Sequence, residues 1–206
     1  KTELERLSRA YVQAFSRVIG PDRDIPAPDV YTNAMIMGWM ADEYATIRGQ
    51  PMPAVITGKP IALGGSLGRD DATARGGYYL VNHLAEELGL GTGMRVAIQG
   101  FGNAGQFFAS LAAADGHRVV AVSDSRGAIA CDAGLDVARL LALKAEGKSI
   151  TALKGEPGIR AISEDELLGT DCDLLVPAAL EDMIHGGNAG AVRAKVILEL
   201  ANGPVT

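Results

Sequence analysis

The amino-acid sequence predicts an α/β protein whose larger part is a doubly wound parallel sheet. Three observations predict it. Apolar runs of four to six residues, such as "VAI", "VVAV" and "LLVPA" with their flanks, alternate with helical segments, the pattern of parallel strands covered on both faces. One of these runs ends in Gly100-Phe101-Gly102-Asn103-Ala104-Gly105 and passes directly into a helix. The chain also carries 26 glycines beside only 5% aromatic residues, as tight strand-to-helix turns and close backbone approaches require.

The first element reads as an amphipathic helix, with Leu4, Leu7, Tyr11, Phe15 and Val18 recurring at helical steps. Thr2 and Glu5 have capping-box spacing, and Gly20-Pro21 stops the run. A proline-punctuated link follows, then a second helix over residues 33–48 that Gly49 closes. Trp39, Met35, Met37 and Met40 in that helix read as packing rather than as a binding stripe. Residues 49–69 hold too many Gly and Pro for regular structure.

From about Asp70 the pattern becomes regular. Residues 70–88 read as a helix with acids in its first turn, 94–100 as a buried strand and 104–114 as a small-residue helix. A second strand over 117–124 follows, then a helix over 134–147. Ser163 and Glu166 form a capping box for a further helix, with Ile162 and Leu167 placed as a hydrophobic staple. Residues 172–178 and 194–200 complete the set as two more buried strands. The α/β region therefore begins near residue 56, which divides the chain into 1–55 and 56–206.

Composition narrows the function. A net charge of -6 spread over both signs, with no Lys/Arg run, argues against nucleic acid as a partner. No apolar run reaches membrane-spanning length and no signal peptide is seen, so a soluble, cytoplasmic protein is expected. Cys131 and Cys172 lack metal-ligand spacing, as do His83, His117 and His185, so no metal site is expected. The chain starts at Lys1 and stops at Thr206 directly after a loop, and both ends look cut.

The glycine turn reads as a dinucleotide clamp, because it follows a strand, opens a helix and precedes a strand ending in an acid. Gly100 permits the tight turn, Gly102 admits the pyrophosphate, and Gly105 lets helix and strand pack closely; the helix start supplies free N–H groups. Asp124 is placed to accept from the ribose hydroxyls of NAD. Ser123, Ser125 and Arg126 stand beside it and could instead take the extra phosphate of NADP, so the expectation is NAD, with NADP the alternative.

Other stretches go beyond a generic cofactor domain. "IPAPDVYTN", "TGKPIALGGSLGRDDATARG", "QGFGNAG", "CDLLVPAAL" and "ELANGPVT" occur in this order. With them the chain resembles, nearly end to end, the glutamate dehydrogenase branch of the Glu/Leu/Phe/Val dehydrogenase family. The resemblance implies a Rossmann-like cofactor domain at 56–206, and at 1–55 helices belonging to a substrate domain. It implies oxidative deamination of L-glutamate to 2-oxoglutarate and ammonia: hydride passes from Cα to the nicotinamide, and water attacks the iminium. A proton shuttle is needed, and Asp29 matches the family's catalytic aspartate. A carboxylate suits that work where its surroundings raise its pKa. By the same resemblance Arg69, Thr73, Asn103, Ala104, Ser125, Pro177, Ala178 and Asn202 join Gly100, Gly102, Gly105 and Asp124 at the cofactor. On the residues alone, Asp29 reads as a helix-entry turn, Thr73 as a capping residue, and the asparagines as turn residues.

Three departures stand out. Tyr31 and Leu200 occupy positions where relatives usually carry glycine. The family's catalytic lysine and the lysines that hold the substrate carboxylates have no match among Lys1, Lys59, Lys144, Lys148, Lys154 and Lys195. The expectation is a cofactor-binding portion that does not turn over glutamate alone and is monomeric or weakly dimeric, cut from a homo-hexameric oxidoreductase. The alternatives are a dehydrogenase of leucine, phenylalanine or valine, and a non-catalytic dinucleotide sensor.

Overall fold

A computed structural model describes residues 1–29 and 31–206, as two compact units, Lys1–Asp70 and Asp71–Thr206. The division falls later than the 55/56 boundary expected from the glycine- and proline-rich composition. Residues 56–70 make no strand. They fold back onto the helices before them, with Ile56 inside the first unit's core and Pro60 and Leu63 against Gly38.

In the first unit, helices α1 (Thr2–Phe15) and α2 (Ala34–Arg48) pack together. Asn33 caps α2 by accepting from the Ile36 amide, and Gly49 ends it in the left-handed conformation at φ 71°. Met37, Met40 and Tyr44 of α2 meet Val12, Ile19, Val55 and Ile56 in the core with Trp39 packed against it, as the packing reading expects, whereas Met35 at the start of the helix is exposed. The Tyr44 hydroxyl donates to the Ile19 carbonyl at 3.1 Å, which satisfies the polar end of a buried ring. Arg9 of α1 bridges to Glu5, Asp42 and Glu43. Two expectations for α1 fail. The Thr2–Glu5 capping box does not form, since Lys1 is the cap position and Thr2 already lies in the helix. The apolar stripe is also not the buried face: Ser8 and Val12 are buried, while Leu7 is 67% exposed and Leu4, Tyr11 and Phe15 are exposed with it. Beyond α2 lie two short 3₁₀ turns, Pro53–Val55 and Ile61–Leu63.

The second unit contains α3 (Ala72–Leu84), β1 (Arg95–Gln99), α4 (Asn103–Ala114), β2 (Arg118–Asp124), β3 (Gly127–Ala130), α5 (Val137–Ala145), β4 (Arg160–Ile162), α6 (Glu164–Leu168), β5 (Leu174–Pro177) and β6 (Val196–Ile197). The strands form one sheet in the order β4-β3-β2-β1-β5-β6. Strands β2, β1, β5 and β6 run parallel, in the doubly wound manner expected. β3 and β4 are antiparallel additions that the sequence pattern did not reveal. Their "GAIA" and "RAI" are too short and alanine-rich to carry a strand signal. β6 is likewise shorter and more exposed than the buried strand expected over 194–200, as suits a sheet edge.

Side-chain alternation sends the strands' residues to two cores. Val96, Ile98, Val122, Ile129, Leu174 and Val176 face one core, which Tyr78 and Val81 of α3, Phe108 and Ala112 of α4 and Leu140 of α5 complete. Ala97, Ala121, Ala128 and Leu175 face the other, closed by Leu167 and Leu168 of α6 and by Ile184. α3 is shorter than expected, and Asp70 and Asp71 precede it rather than forming its first turn; Asp71 pairs with Arg75. The Ser163–Glu166 capping box forms as expected. His117 is half-buried between α4 and β2, where its Nδ1 accepts from the Met94 amide at 3.1 Å.

Candidate functional site

The glycine turn joins β1 to α4 at the carboxyl edge of the sheet, and its glycines meet three different environments. Gly100 has φ +95°, and a Cβ there would lie 2.7–2.8 Å from Ala179, so both conformation and space demand glycine. A Cβ on Gly105 would overlap the Gly100 carbonyl oxygen, which is the close helix-to-strand approach read from the sequence. A Cβ on Gly102 would meet nothing within 4 Å. The space over the start of α4 is therefore open, and the first amides of the helix have no intrahelical acceptor. An oxygen-rich anion such as a diphosphate fits that opening, with Asn103 and Ala104 in the first turn.

The end of β2 differs from expectation. Ser123 is buried, and its hydroxyl accepts from the Gly100 amide at 3.1 Å, so it braces the glycine turn and is closed to a phosphate. The Asp124 side chain is only 5% exposed. Its Oδ1 accepts from the Arg126 amide and the Ser149 hydroxyl, both at 2.9 Å. Its Oδ2 accepts from the Ile150 amide at 3.1 Å and from Lys144 Nζ at 3.2 Å. Burial pushes this carboxyl up, but the two amides, the serine and the lysine outweigh it and hold the group below the usual carboxylate range. Lys144 and Ser149 were not read as partners of Asp124, because nothing in local spacing links them to it. Ser125 and Arg126 form the exposed two-residue turn between β2 and β3.

Pro177 ends β5 opposite Gln99, and the Ala178 amide donates to the Gln99 carbonyl at 2.7 Å. Both residues thus stand beside the entry to the glycine turn. The Pro177 carbonyl in turn accepts from the amides of Leu200 and Ala201. This anchors the segment that carries the exposed Asn202. Leu200 is accommodated by Gly77 of α3, where an added Cβ would lie 2.6 Å from Leu200 Cδ2. Gly77 is one turn beyond the exposed Thr73, so helix α3 and the 198–202 segment lie side by side.

Within the first unit, the Asp29 carbonyl and amide engage the Thr32 hydroxyl in a tight turn, with Asp29 exposed. The cap of α2 is Asn33, so Asp29 is not spent on capping. Tyr31 adopts φ +63° and is 97% exposed, a left-handed conformation that explains why a glycine suits this position. Arg69 lines a cavity of about 420 Å³ together with Thr57, Lys59, Gly64 and Ser66. Lys59 is 8% exposed, and its ammonium donates to the Ile56 carbonyl at 2.9 Å. Ile25, Pro53, Ala54 and Ile56 make up the apolar part of the same lining, and that Lys59 of the "TGKP" stretch shares a cavity with Arg69 is not legible from their spacing. Among the described residues, no three His, Cys, Asp or Glu side chains gather to hold a metal ion, and no helix is long and apolar enough to cross a membrane.

Residues 64–206 match the model of the Glutamate/Leucine/Phenylalanine/Valine dehydrogenase family, and residues 1–46 match that of the Glu/Leu/Phe/Val dehydrogenase dimerisation domain. The chain belongs to the Glu/Leu/Phe/Val dehydrogenase family. Within this family it is 46% identical to an NADP-specific glutamate dehydrogenase of Synechocystis sp., across 100% of the chain and 50% of that protein. It is 47% identical to an NAD-specific glutamate dehydrogenase of Bacillus subtilis, across 99% of the chain and 47% of that protein. The hetero-hexameric glutamate dehydrogenase of Thermus thermophilus, solved in a Leu-bound form, superposes with a TM-score of 0.91 at 39% identity, covering 100% of this chain and 48% of that one. The chain spans about half the length of the curated relatives it matches. Identity to the NADP-specific and to the NAD-specific relative is nearly equal, 46% and 47%.

Proposed function

We propose that this chain is the dinucleotide-binding part, with a portion of the substrate part, of an NAD(P)-dependent glutamate dehydrogenase. The reaction is oxidative deamination of L-glutamate to 2-oxoglutarate and ammonia. The observation that carries the reading is the glycine turn, tight at Gly100, closely packed at Gly105 and open at Gly102. A bound nicotinamide dinucleotide supplies the hydride acceptor. The start of α4 holds its diphosphate through backbone amides and the helix dipole. Thr73, Asn202, Pro177 and Ala178 flank the same edge and orient the cofactor by side-chain and backbone polar groups. Asp29 moves protons to and from the substrate amine and the attacking water. The relatives that match across the whole chain are glutamate dehydrogenases, which favours glutamate over leucine, phenylalanine or valine. The full-length enzyme acts as a homo-hexamer in the cytoplasm; the dimerisation-domain match over residues 1–46 supports self-association, and the Thermus thermophilus relative, a hetero-hexamer, supports the number of subunits.

The test is a titration of the purified chain with NADH and with NADPH, followed by nicotinamide fluorescence. Saturable binding of either, lost in Gly102→Val at an unchanged unfolding midpoint, supports the reading. A folded chain that binds neither overturns it.

A further inference from the structure

The strand order sets how an extended dinucleotide would lie along the carboxyl edge of the sheet. Its diphosphate belongs over the start of α4, where β1 ends, and its adenosine ribose over the end of β2. The nicotinamide half then extends the other way, over β5 and the segment that follows β6. Two elements meet on that side, helix α3 with Thr73 and the 198–202 segment with Asn202.

One contact joins them. Gly77 is buried, on the face of α3 that carries Thr73 four residues earlier. A Cβ on Gly77 would lie 2.6 Å from Leu200 Cδ2 and 3.1 Å from Leu198 Cδ2. The missing side chain is thus a notch in the helix, and Leu200 is the knob that fills it. Gly77 has no positive φ, and glycine is a poorer helix former than alanine, so the room taken by Leu200 is its reason. The other side of the segment is bonded to β5. The Leu198 amide donates to the Leu175 carbonyl at 2.9 Å, and the amides of Leu200 and Ala201 donate to the Pro177 carbonyl at 3.0 and 3.1 Å. Those bonds set where the segment lies along β5, and leave its distance from α3 to the volume of the side chains between them. Thr73 and Asn202 are both exposed, so packing of their own side chains does not set that distance.

We propose that Leu200 and Gly77 are positioning residues: knob and notch set the spacing between Thr73 and Asn202, and through it the placement of the nicotinamide ring. The inference rests on the dinucleotide reading above and adds to it the residues that fix the width of the nicotinamide end.

The experiment compares NADH with ADP-ribose, which keeps the adenosine and the diphosphate but lacks nicotinamide. Both are titrated into the parent chain, Leu200→Ala, Gly77→Ala and the double variant, NADH by nicotinamide fluorescence and ADP-ribose by calorimetry. Leu200→Ala empties the notch and is expected to weaken NADH about fivefold to twentyfold, and ADP-ribose by less than about twofold. Gly77→Ala asks only the far end of Leu200 to move, and the helix gains from it. Its unfolding midpoint should therefore stay near that of the parent while NADH weakens about threefold to tenfold. In the double variant the added methyl takes up part of the volume that Leu200→Ala removes, and NADH should bind more tightly than to Leu200→Ala alone. Unchanged NADH affinity in both single variants, equal losses of NADH and ADP-ribose, or losses that simply multiply in the double variant overturn the positioning role. So does a parent chain that binds NADH no more tightly than ADP-ribose, since nicotinamide then finds no site. Should Leu200→Ala not fold, Gly77→Ala decides alone, and an unchanged NADH affinity there overturns the proposal. Binding of neither ligand by the folded parent chain overturns the dinucleotide reading itself, and the positioning role with it.

Discussion

Residues 71–206 bury apolar side chains on both faces of a six-stranded sheet, whereas residues 1–70 gather a single core between two helices. Among the described residues, the shorter unit exposes twice as many large apolar side chains as the longer, with Leu4, Leu7, Tyr11 and Phe15 all on α1. The difference teaches where the candidate chemistry gets its rigidity. The glycine turn, Asp124 and the end of β5 are held by strands whose buried residues are shared with neighbours on both sides. Asp29 is exposed, its backbone bonded to the Thr32 hydroxyl, and Tyr31 is almost fully exposed. Positions braced by a sheet respond sharply to small changes in volume, while positions on an open surface respond mainly through backbone preference.

The largest expected effect breaks the comparison most directly. Leu140→Ala, at a position with no exposed area, should cost about 3 kcal/mol in urea unfolding, while Leu7→Ala on the exposed stripe should stay within about 0.5 kcal/mol. Equal losses would mean that the stripe of α1 is buried in solution. Next comes the glycine turn: Gly105→Ala should cost about 2 kcal/mol, since the new methyl must push the Gly100 carbonyl aside. Gly102→Ala meets open space and should leave the unfolding midpoint nearly unchanged while weakening dinucleotide binding.

A smaller effect is pH-dependent and belongs to the second unit. Burial lowers the pKa of His117, with the nearby Asp115 charge opposing it. The unfolded chain therefore binds this proton more readily than the folded one, and stability should fall as pH drops through the ordinary histidine value of 6.5. At lower pH the contributions of Asp124 and Asp173 follow. Both are held below their ordinary value of 3.8, Asp173 by Lys195 and the Arg95 amide. Thermal melts between pH 7.5 and 5.5 test the first step: a flat midpoint would show that burial does not lower the His117 pKa on folding. The smallest effect is in the first unit. Tyr31→Gly relieves a left-handed residue with no packing to lose and should stabilise the chain by about 1 kcal/mol or less, read as a small rise in the urea midpoint. A loss of stability would mean that the tyrosine ring makes contacts in solution that outweigh its backbone strain.

The sequence by itself determined what depends on neighbours a few residues apart. The spacing of Gly100, Gly102 and Gly105 announced a strand-to-helix turn. The Ser163–Glu166 pair marked the start of α6, and the apolar runs marked β1, β2 and β5. Tertiary structure decided what depends on partners distant in the chain. β3 and β4 become strands only because the edge of β2 offers them hydrogen bonds; their side chains carry no pattern of their own. The stripe of α1 is as periodic as a buried face, yet packing against α2 selects Ser8 and Val12 instead. Asp124 makes the same point at the candidate site. Its position at a strand end is a local fact, but Lys144, Ser149 and Ile150 arrive from a helix and a turn twenty or more residues later, and they occupy the carboxylate that the local pattern assigns to a ribose. Spacing along the chain can say which groups a position has, whereas only the packed structure says which of those groups are already taken.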